Sequence, residues 1–140
     1  MELTEKKAVC MLCPHRCVLR EGQNGFCRAR GNRQGCMESL NYGKITSLAL
    51  DPVEKKPLRR FHPGSFILSV GSFGCNLRCP FCQNYEISQS GQEIPFRTIL
   101  PEELAELAKS LAKKSPGNLG AAFTYNEPLI GWEYLMDTAR

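Results

Sequence analysis

The pattern of apolar and polar positions changes near residue 64. No helical or strand period persists through residues 1–36, where Cys10, Cys13, Cys17, Cys27 and Cys36 stand among Gly, Asn and Arg. One short apolar run, Ile45 to Leu50, predicts a strand that leaves through the turn pair Asp51-Pro52. Pro57, Pro63 and Gly64 mark a linker-like stretch. Beyond it, Phe66-Ile67-Leu68-Ser69-Val70, bounded by Gly64 and Gly71, has the compact apolar form of a buried strand. Gly71-Ser72-Phe73-Gly74 reads as the turn that leaves it. A helix then opens at Pro101, a residue suited to the first helical position, with Glu102 and Glu103 at the positive end of its dipole. Leu104, Leu107, Ala108 and Leu111 form its apolar stripe, and Lys113, Lys114 and Gly117 close it. Gly120 to Thr124 predicts a second buried strand with Asn126-Glu127-Pro128 as its exit loop, and Trp132, Leu135, Met136 and Ala139 a further helical stripe.

Strand, loop, helix, strand, loop, helix implies parallel strands with crossover helices, an α/β class. The chain divides into a Cys-rich N-terminal module with short strands at 1–63 and two βα units at 64–140. Residues 65–140, 76 in all, make roughly 2.4 units of a (βα) barrel at about 31 residues each. Two parallel strands leave open edges and an uncovered face, and no stop signal follows Ala139. The expectation is a truncated chain, the N-terminal portion of an incomplete barrel.

Composition narrows the chemistry. Eight cysteines in 140 residues are too many to ignore and fewer than a disulfide scaffold carries. Met1 to Lys7 has no apolar h-region and no run is long enough for a membrane span, so the expected location is cytoplasmic, with reduced thiols available to metals. Residues 1–63 hold 12 Lys/Arg against 6 Asp/Glu, and residues 64–140 hold 6 against 8. The basic excess is not interleaved with aromatics as in single-strand binders, so nucleic acid is not the expected partner. Lys55, Lys56, Arg59 and Arg60 read as a solvated basic strand edge or as contacts to an anionic ligand.

The sharpest signal is Gly74-Cys75-Asn76-Leu77-Arg78-Cys79-Pro80-Phe81-Cys82, spaced C-x3-C-x2-C directly after the first buried strand. Three thiolates on one tight loop can hold three irons of a [4Fe–4S] cluster and leave the fourth open to a small molecule. The alternative is a structural zinc whose fourth ligand comes from elsewhere.

This loop, with an aromatic residue before its last cysteine, resembles that of the radical S-adenosylmethionine (radical SAM) superfamily. The collinear strings CMLCPHRCVLREGQNGFCRAR at Cys10, YGKI at Tyr42, DPVEKKPL at Asp51, FHPG at Phe61, GCNLRCPFCQNYEISQ at Gly74 and AFTYNEPLI at Ala122 are similar to the radical SAM enzymes of the AmmeMemoRadiSam system, which are close to pyruvate formate-lyase activating enzymes. The resemblance implies an enzyme that reductively cleaves S-adenosylmethionine at a [4Fe–4S] cluster to a 5′-deoxyadenosyl radical for hydrogen abstraction, with glycyl-radical activation or protein modification as the outcome. It implies Cys75, Cys79 and Cys82 as cluster ligands, and Phe81, Asn126 and Glu127 as contacts to the cofactor. Tyr125 and Asn126 stand where the superfamily commonly has glycines, so Glu127 is the firmer carry-over. The implied partners are an electron donor such as flavodoxin or ferredoxin and a protein substrate. Residues 1–140 alone are not expected to turn over the cofactor.

Cys10, Cys13, Cys17 and Cys27 are spaced C-x2-C-x3-C-x9-C, enough for a closed zinc site or a second iron–sulfur cluster. His15 is an alternative ligand, and Cys36 reads as a free thiol. His62 takes no chemistry from its surroundings in sequence. Two competing functions remain: a non-catalytic zinc-ribbon-like module binding metal or nucleic acid, and an electron carrier, which a fourth local cysteine would favour.

Overall fold

A computed structural model describes residues 6–140. The sequence reading of Met1 to Lys7 falls largely on residues outside that range. Two small antiparallel hairpins come first. β1 (Ala8–Val9) pairs with β2 (Val18–Leu19), and β3 (Arg30–Arg33) pairs with β4 (Cys36–Ser39). Periodicity gave no sign of either, because strands of two and four residues are too short to display a period of two.

The main sheet has four strands in the order β7-β5-β6-β8: β5 (Lys44–Pro52), β6 (Phe66–Ser72), β7 (Arg97–Thr98) and β8 (Ala121–Phe123). β6 and β8 are parallel, as the alternation requires. β5 is antiparallel to β6 along its length, with Leu48 opposite Val70 and Asp51 opposite Ile67. The sheet therefore runs across residue 63, where composition changes. β6 also reaches further than its apolar run, so Gly71 and Ser72 are strand rather than turn.

Between β6 and β7 lie the cysteine loop and a single helical turn, α1 (Tyr85–Ser88). α2 (Pro101–Ala112) follows, opened by Pro101 and by the Glu103 carboxylate, which accepts the Leu100 N–H at 2.7 Å. α3 (Trp132–Ala139) ends the chain after the 3₁₀ turn Pro128–Gly131. Ile45, Leu68, Val70, Leu104 and Tyr134 form the core, with Leu107, Ala108, Leu111 and Phe123 packed on it. The predicted stripe of α2 is thus its buried face.

The predicted stripe of α3 is not. Tyr134 is the buried residue of this helix, while Trp132 and Met136 are exposed and Leu135 and Ala139 line an open apolar recess with Ala105, Ala108 and Ala121. The Tyr134 hydroxyl donates to the Ile99 carbonyl at 3.0 Å, so its polar tip is satisfied where its ring is buried. Burial pushes its hydroxyl up to about 12. Among the described residues no helix is long and apolar enough to cross a membrane.

Candidate metal and cofactor site

β6 delivers the chain to Phe73, fully buried, and then to Gly74. Gly74 has φ +84°, and a Cβ there would collide with the Cys27 carbonyl and lie 2.9 Å from Ala29 Cβ. Only glycine allows this approach. The next amide, Cys75 N–H, donates to the Cys27 carbonyl at 3.1 Å, and Gly74 N–H donates to the Ile87 carbonyl at 3.0 Å. The cysteine loop is therefore fastened at its start from two sides, by the N-terminal turn and by α1.

Cys75, Cys79 and Cys82 all line one recess of about 170 Å³. Cys75 is buried, Cys82 half-buried and Cys79 exposed, and all three are free thiols. Leu77 N–H approaches Cys75 Sγ at 3.4 Å, and Ser88 Oγ lies 3.4 Å from Cys82 Sγ. Gln89 Nε2 donates to the Leu77 carbonyl at 2.9 Å and ties the loop to the end of α1.

The opposite wall of the recess is the exit of β8: Tyr125, Asn126 and Glu127. Asn126 Nδ2 donates to the Gly74 carbonyl at 2.8 Å and to Ser72 Oγ at 3.2 Å, which locks the two strand exits together. Tyr125 adopts φ +73°, and its hydroxyl donates to Asp51 Oδ2 at 2.7 Å. Asp51 is itself buried and ion-paired with Lys55 at 2.8 Å and Lys56 at 3.3 Å. The Lys55 ammonium first, then the Tyr125 hydroxyl, outweigh burial and hold the Asp51 carboxyl well below the usual carboxylate range. Lys56, largely buried, and Lys55, exposed, are thus both ion-pair partners of Asp51, a pairing between strand and following turn that the charge pattern did not reveal.

Glu127 Oε1 accepts the Leu129 N–H at 3.1 Å and caps the 3₁₀ turn. It also lines the recess, so one residue both caps the turn and borders the space the three cysteines share. Phe81 is not on the recess wall and is 82% exposed.

Among the described residues no three His, Cys, Asp or Glu side chains stand as a ready-made metal site. The donor set still suits an iron–sulfur cluster. Three reduced thiols share one recess with a carboxylate and an amide, and the buried Asn76 Oδ1 within the loop has no hydrogen-bond partner.

The N-terminal turn meets this loop through side chains that sequence spacing did not connect. His15 Nε2 lies 2.9 Å from the Asn76 carbonyl oxygen, His15 stacks on Phe26 at 4.1 Å between ring centroids, and the Arg78 guanidinium lies 4.6 Å from the Phe26 centroid. Arg30 reaches α3, donating to Glu133 Oε2 at 2.8 Å and Oε1 at 2.7 Å. Cys36 is exposed at the start of β4, and His62 packs its ring edge-on against Phe61.

Comparisons with known proteins give the chain relatives and a family. The chain is 42% identical over 139 residues to the uncharacterized protein MJ0808 of Methanocaldococcus jannaschii, covering 99% of this chain and 40% of that protein. It is 33% identical over 122 residues to the uncharacterized protein MJ0674 of the same organism, covering 85% of this chain and 31% of the relative. A cysteine-type anaerobic sulfatase-maturating enzyme of Clostridium perfringens is 27% identical over 82 residues, 56% of this chain and 22% of the enzyme. The chain therefore spans well under half the length of these relatives. No solved structure matches it significantly. The family described as the radical SAM superfamily matches residues 69–140, just over half of the chain, from β6 through the cysteine loop to α3. Its mixed helices and strands fit part of that fold, and its family implies a [4Fe–4S] cluster and S-adenosylmethionine: the chain belongs to the radical SAM superfamily.

Proposed function

We propose that this chain forms the cluster- and cofactor-holding part of an enzyme that reductively cleaves S-adenosylmethionine and abstracts hydrogen from a substrate. One observation carries the reading: Cys75, Cys79 and Cys82 share a single recess with Asn126 and Glu127, which arrive from the exit of a different, parallel strand. When bound, a [4Fe–4S] cluster with S-adenosylmethionine supplies one-electron cleavage of the cofactor's C–S bond to methionine and a 5′-deoxyadenosyl radical. The three thiolates would each hold one iron. Glu127 would accept hydrogen bonds from the cofactor's ammonium group, at the carboxyl end of a parallel strand where functional groups collect. Asn126 fixes the distance between the strand exits through Gly74 and Ser72. Asp51 holds Tyr125 in its left-handed conformation beside Glu127. Phe81 would pack against the cofactor's adenine from the loop's outer side.

The resemblance to AmmeMemoRadiSam enzymes and pyruvate formate-lyase activating enzymes favours a protein substrate, with a glycyl radical or a modified side chain as product. A flavodoxin or ferredoxin would supply the electron. The test uses the anaerobically reconstituted protein with dithionite and S-adenosylmethionine. S-Adenosylmethionine binding to an iron–sulfur-loaded chain, lost in Cys79→Ala and weakened in Glu127→Gln, supports the reading. A protein that binds zinc but no iron under the same treatment would sink it and favour the zinc-ribbon alternative.

A further inference from the structure

A second set of thiols takes no part in the reaction proposed above. Cys10 and Cys17 face each other at the end of the β1–β2 hairpin, where Cys10 N–H donates to the Cys17 carbonyl at 2.9 Å. Cys13 sits in the loop between them, its carbonyl accepting Arg16 N–H at 3.2 Å. Cys27, buried, enters from the following turn, next to Phe26, whose N–H reaches Cys17 Sγ. All four are free thiols. A backbone amide points at one of the sulfurs: Phe26 N–H lies 3.4 Å from Cys17 Sγ. Four free thiols gathered on short turns, two of them buried, make a donor set for one thiophilic metal.

The surroundings call for one too. Among the described residues, the buried apolar cluster beneath these turns is Cys27, Ala29 and Ile130, and this part of the chain adds Ala8, Cys10, Leu19 and Leu40 as further small or single buried groups. A core of that size does not hold a two-residue hairpin and long turns, whereas a metal cross-link supplies folding energy directly.

We propose that Cys10, Cys13, Cys17 and Cys27 bind one thiophilic metal centre, closed by four thiolates, and that this centre braces the Cys75–Cys82 loop. The bracing contacts are the Cys75 N–H to Cys27 carbonyl bond at 3.1 Å and the His15 to Asn76 contact at 2.9 Å. Cys13 also lines, with Asn76 and Glu127, a recess of about 250 Å³ on this side of the loop. No three donors among the described residues stand as a ready-made site, so closure would take side-chain movement, for which each cysteine has one torsion with three staggered wells. The metal-binding half of this inference is independent of the radical chemistry; the significance of the bracing rests on it.

The two sets of thiols are separated by substitution. In Cys75→Ala/Cys79→Ala/Cys82→Ala, purified anaerobically, elemental and sulfide analysis is expected to find one metal centre per chain, lost on adding Cys10→Ser/Cys27→Ser. Zinc without sulfide identifies a zinc ion and iron with matching sulfide a cluster; either supports the site. A triple variant without stoichiometric metal overturns it. Equal metal content in the unmutated protein and the triple variant would instead count against the proposed function. Should the triple variant fail to fold, the same count compares the unmutated protein with Cys10→Ser/Cys27→Ser, where an unchanged content overturns the site. For the brace, chelating the remaining metal is expected to speed hydrogen exchange of the amide at position 75 by about tenfold or more. An unchanged rate overturns the brace.

Discussion

Replacing Gly74 with alanine tests whether the cysteine loop is anchored where the structure puts it. Two costs combine. At φ +84° the left-handed conformation costs an L-residue roughly 1–2 kcal/mol. The new Cβ would also meet the Cys27 carbonyl, Ala29 Cβ at 2.9 Å and Ala29 N at 3.2 Å. Two of these are backbone atoms, which no side-chain rotation moves away, so overpacking adds roughly 1–3 kcal/mol. Gly64 separates the two costs, since it has φ +79° with nothing within 4 Å of where a Cβ would stand. Gly64→Ala should lose only the conformational cost, roughly 1–2 kcal/mol, and Gly74→Ala about 2–5 kcal/mol. Denaturant unfolding under anaerobic, reducing conditions, followed by the fluorescence of Trp132, the single tryptophan, gives both values at matched m. Gly74→Ala should also bind less iron, because relief of the clash pulls Cys75 from its bond to the Cys27 carbonyl. Equal losses of stability in the two variants, with full iron content in both, would refute the close approach.

Further outcomes follow from the same geometry. Arg30→Ala strands Glu133 and frees the Ile130 carbonyl, and should cost about 3 kcal/mol by denaturant unfolding; a loss under about 1 kcal/mol would show the pair to be solvated. Asp51 has a depressed folded-state pKa, so its stabilisation is full above its unfolded value of about 4 and is lost as pH falls through the folded one. The unfolding midpoint of the unmutated protein should therefore drop below about pH 4 more steeply than that of Asp51→Asn, and parallel profiles would contradict the network. Tyr134, raised to about 12 by burial, stabilises fully below its unfolded value of about 10 and loses that contribution as pH rises through 12. Tyr134→Phe should lose about 1 kcal/mol at neutral pH with its bond to Ile99 and flatten the alkaline limb; an unchanged limb would place the alkaline transition elsewhere.

Much of the sheet and of α2 was legible because their burial patterns are local. Phe66 to Val70 is a short apolar run, and Leu104 to Leu111 keeps one face at helical spacing. Gly120 to Thr124, expected as a buried strand, supplies instead the edge strand Ala121–Phe123, exposed or half-buried because no further strand covers it among the described residues. α3 was legible as a helix but not in its facing. Tyr134 fills the core because its ring meets Phe123 and Tyr42 while its hydroxyl finds Ile99, a choice no hydropathy pattern encodes. The direction of β5 was likewise hidden, since an apolar run reads the same in either direction. The cysteine spacing announced donors but not their neighbours. That Asn126 bridges Ser72 and Gly74, and that His15 touches Asn76, depends on strand exits meeting in space across more than fifty positions of sequence. Asp51 looked like a turn residue and is the buried partner of Tyr125.

Whether Cys75, Cys79, Cys82 and Glu127 form one site for a cluster and S-adenosylmethionine is decided by electron paramagnetic resonance of the reduced, reconstituted protein with and without S-adenosylmethionine. The expected result is an iron–sulfur signal whose g values shift when S-adenosylmethionine is added, a shift weakened in Glu127→Gln and absent in Cys79→Ala. A signal indifferent to S-adenosylmethionine, or a full response surviving in Cys79→Ala, would contradict it.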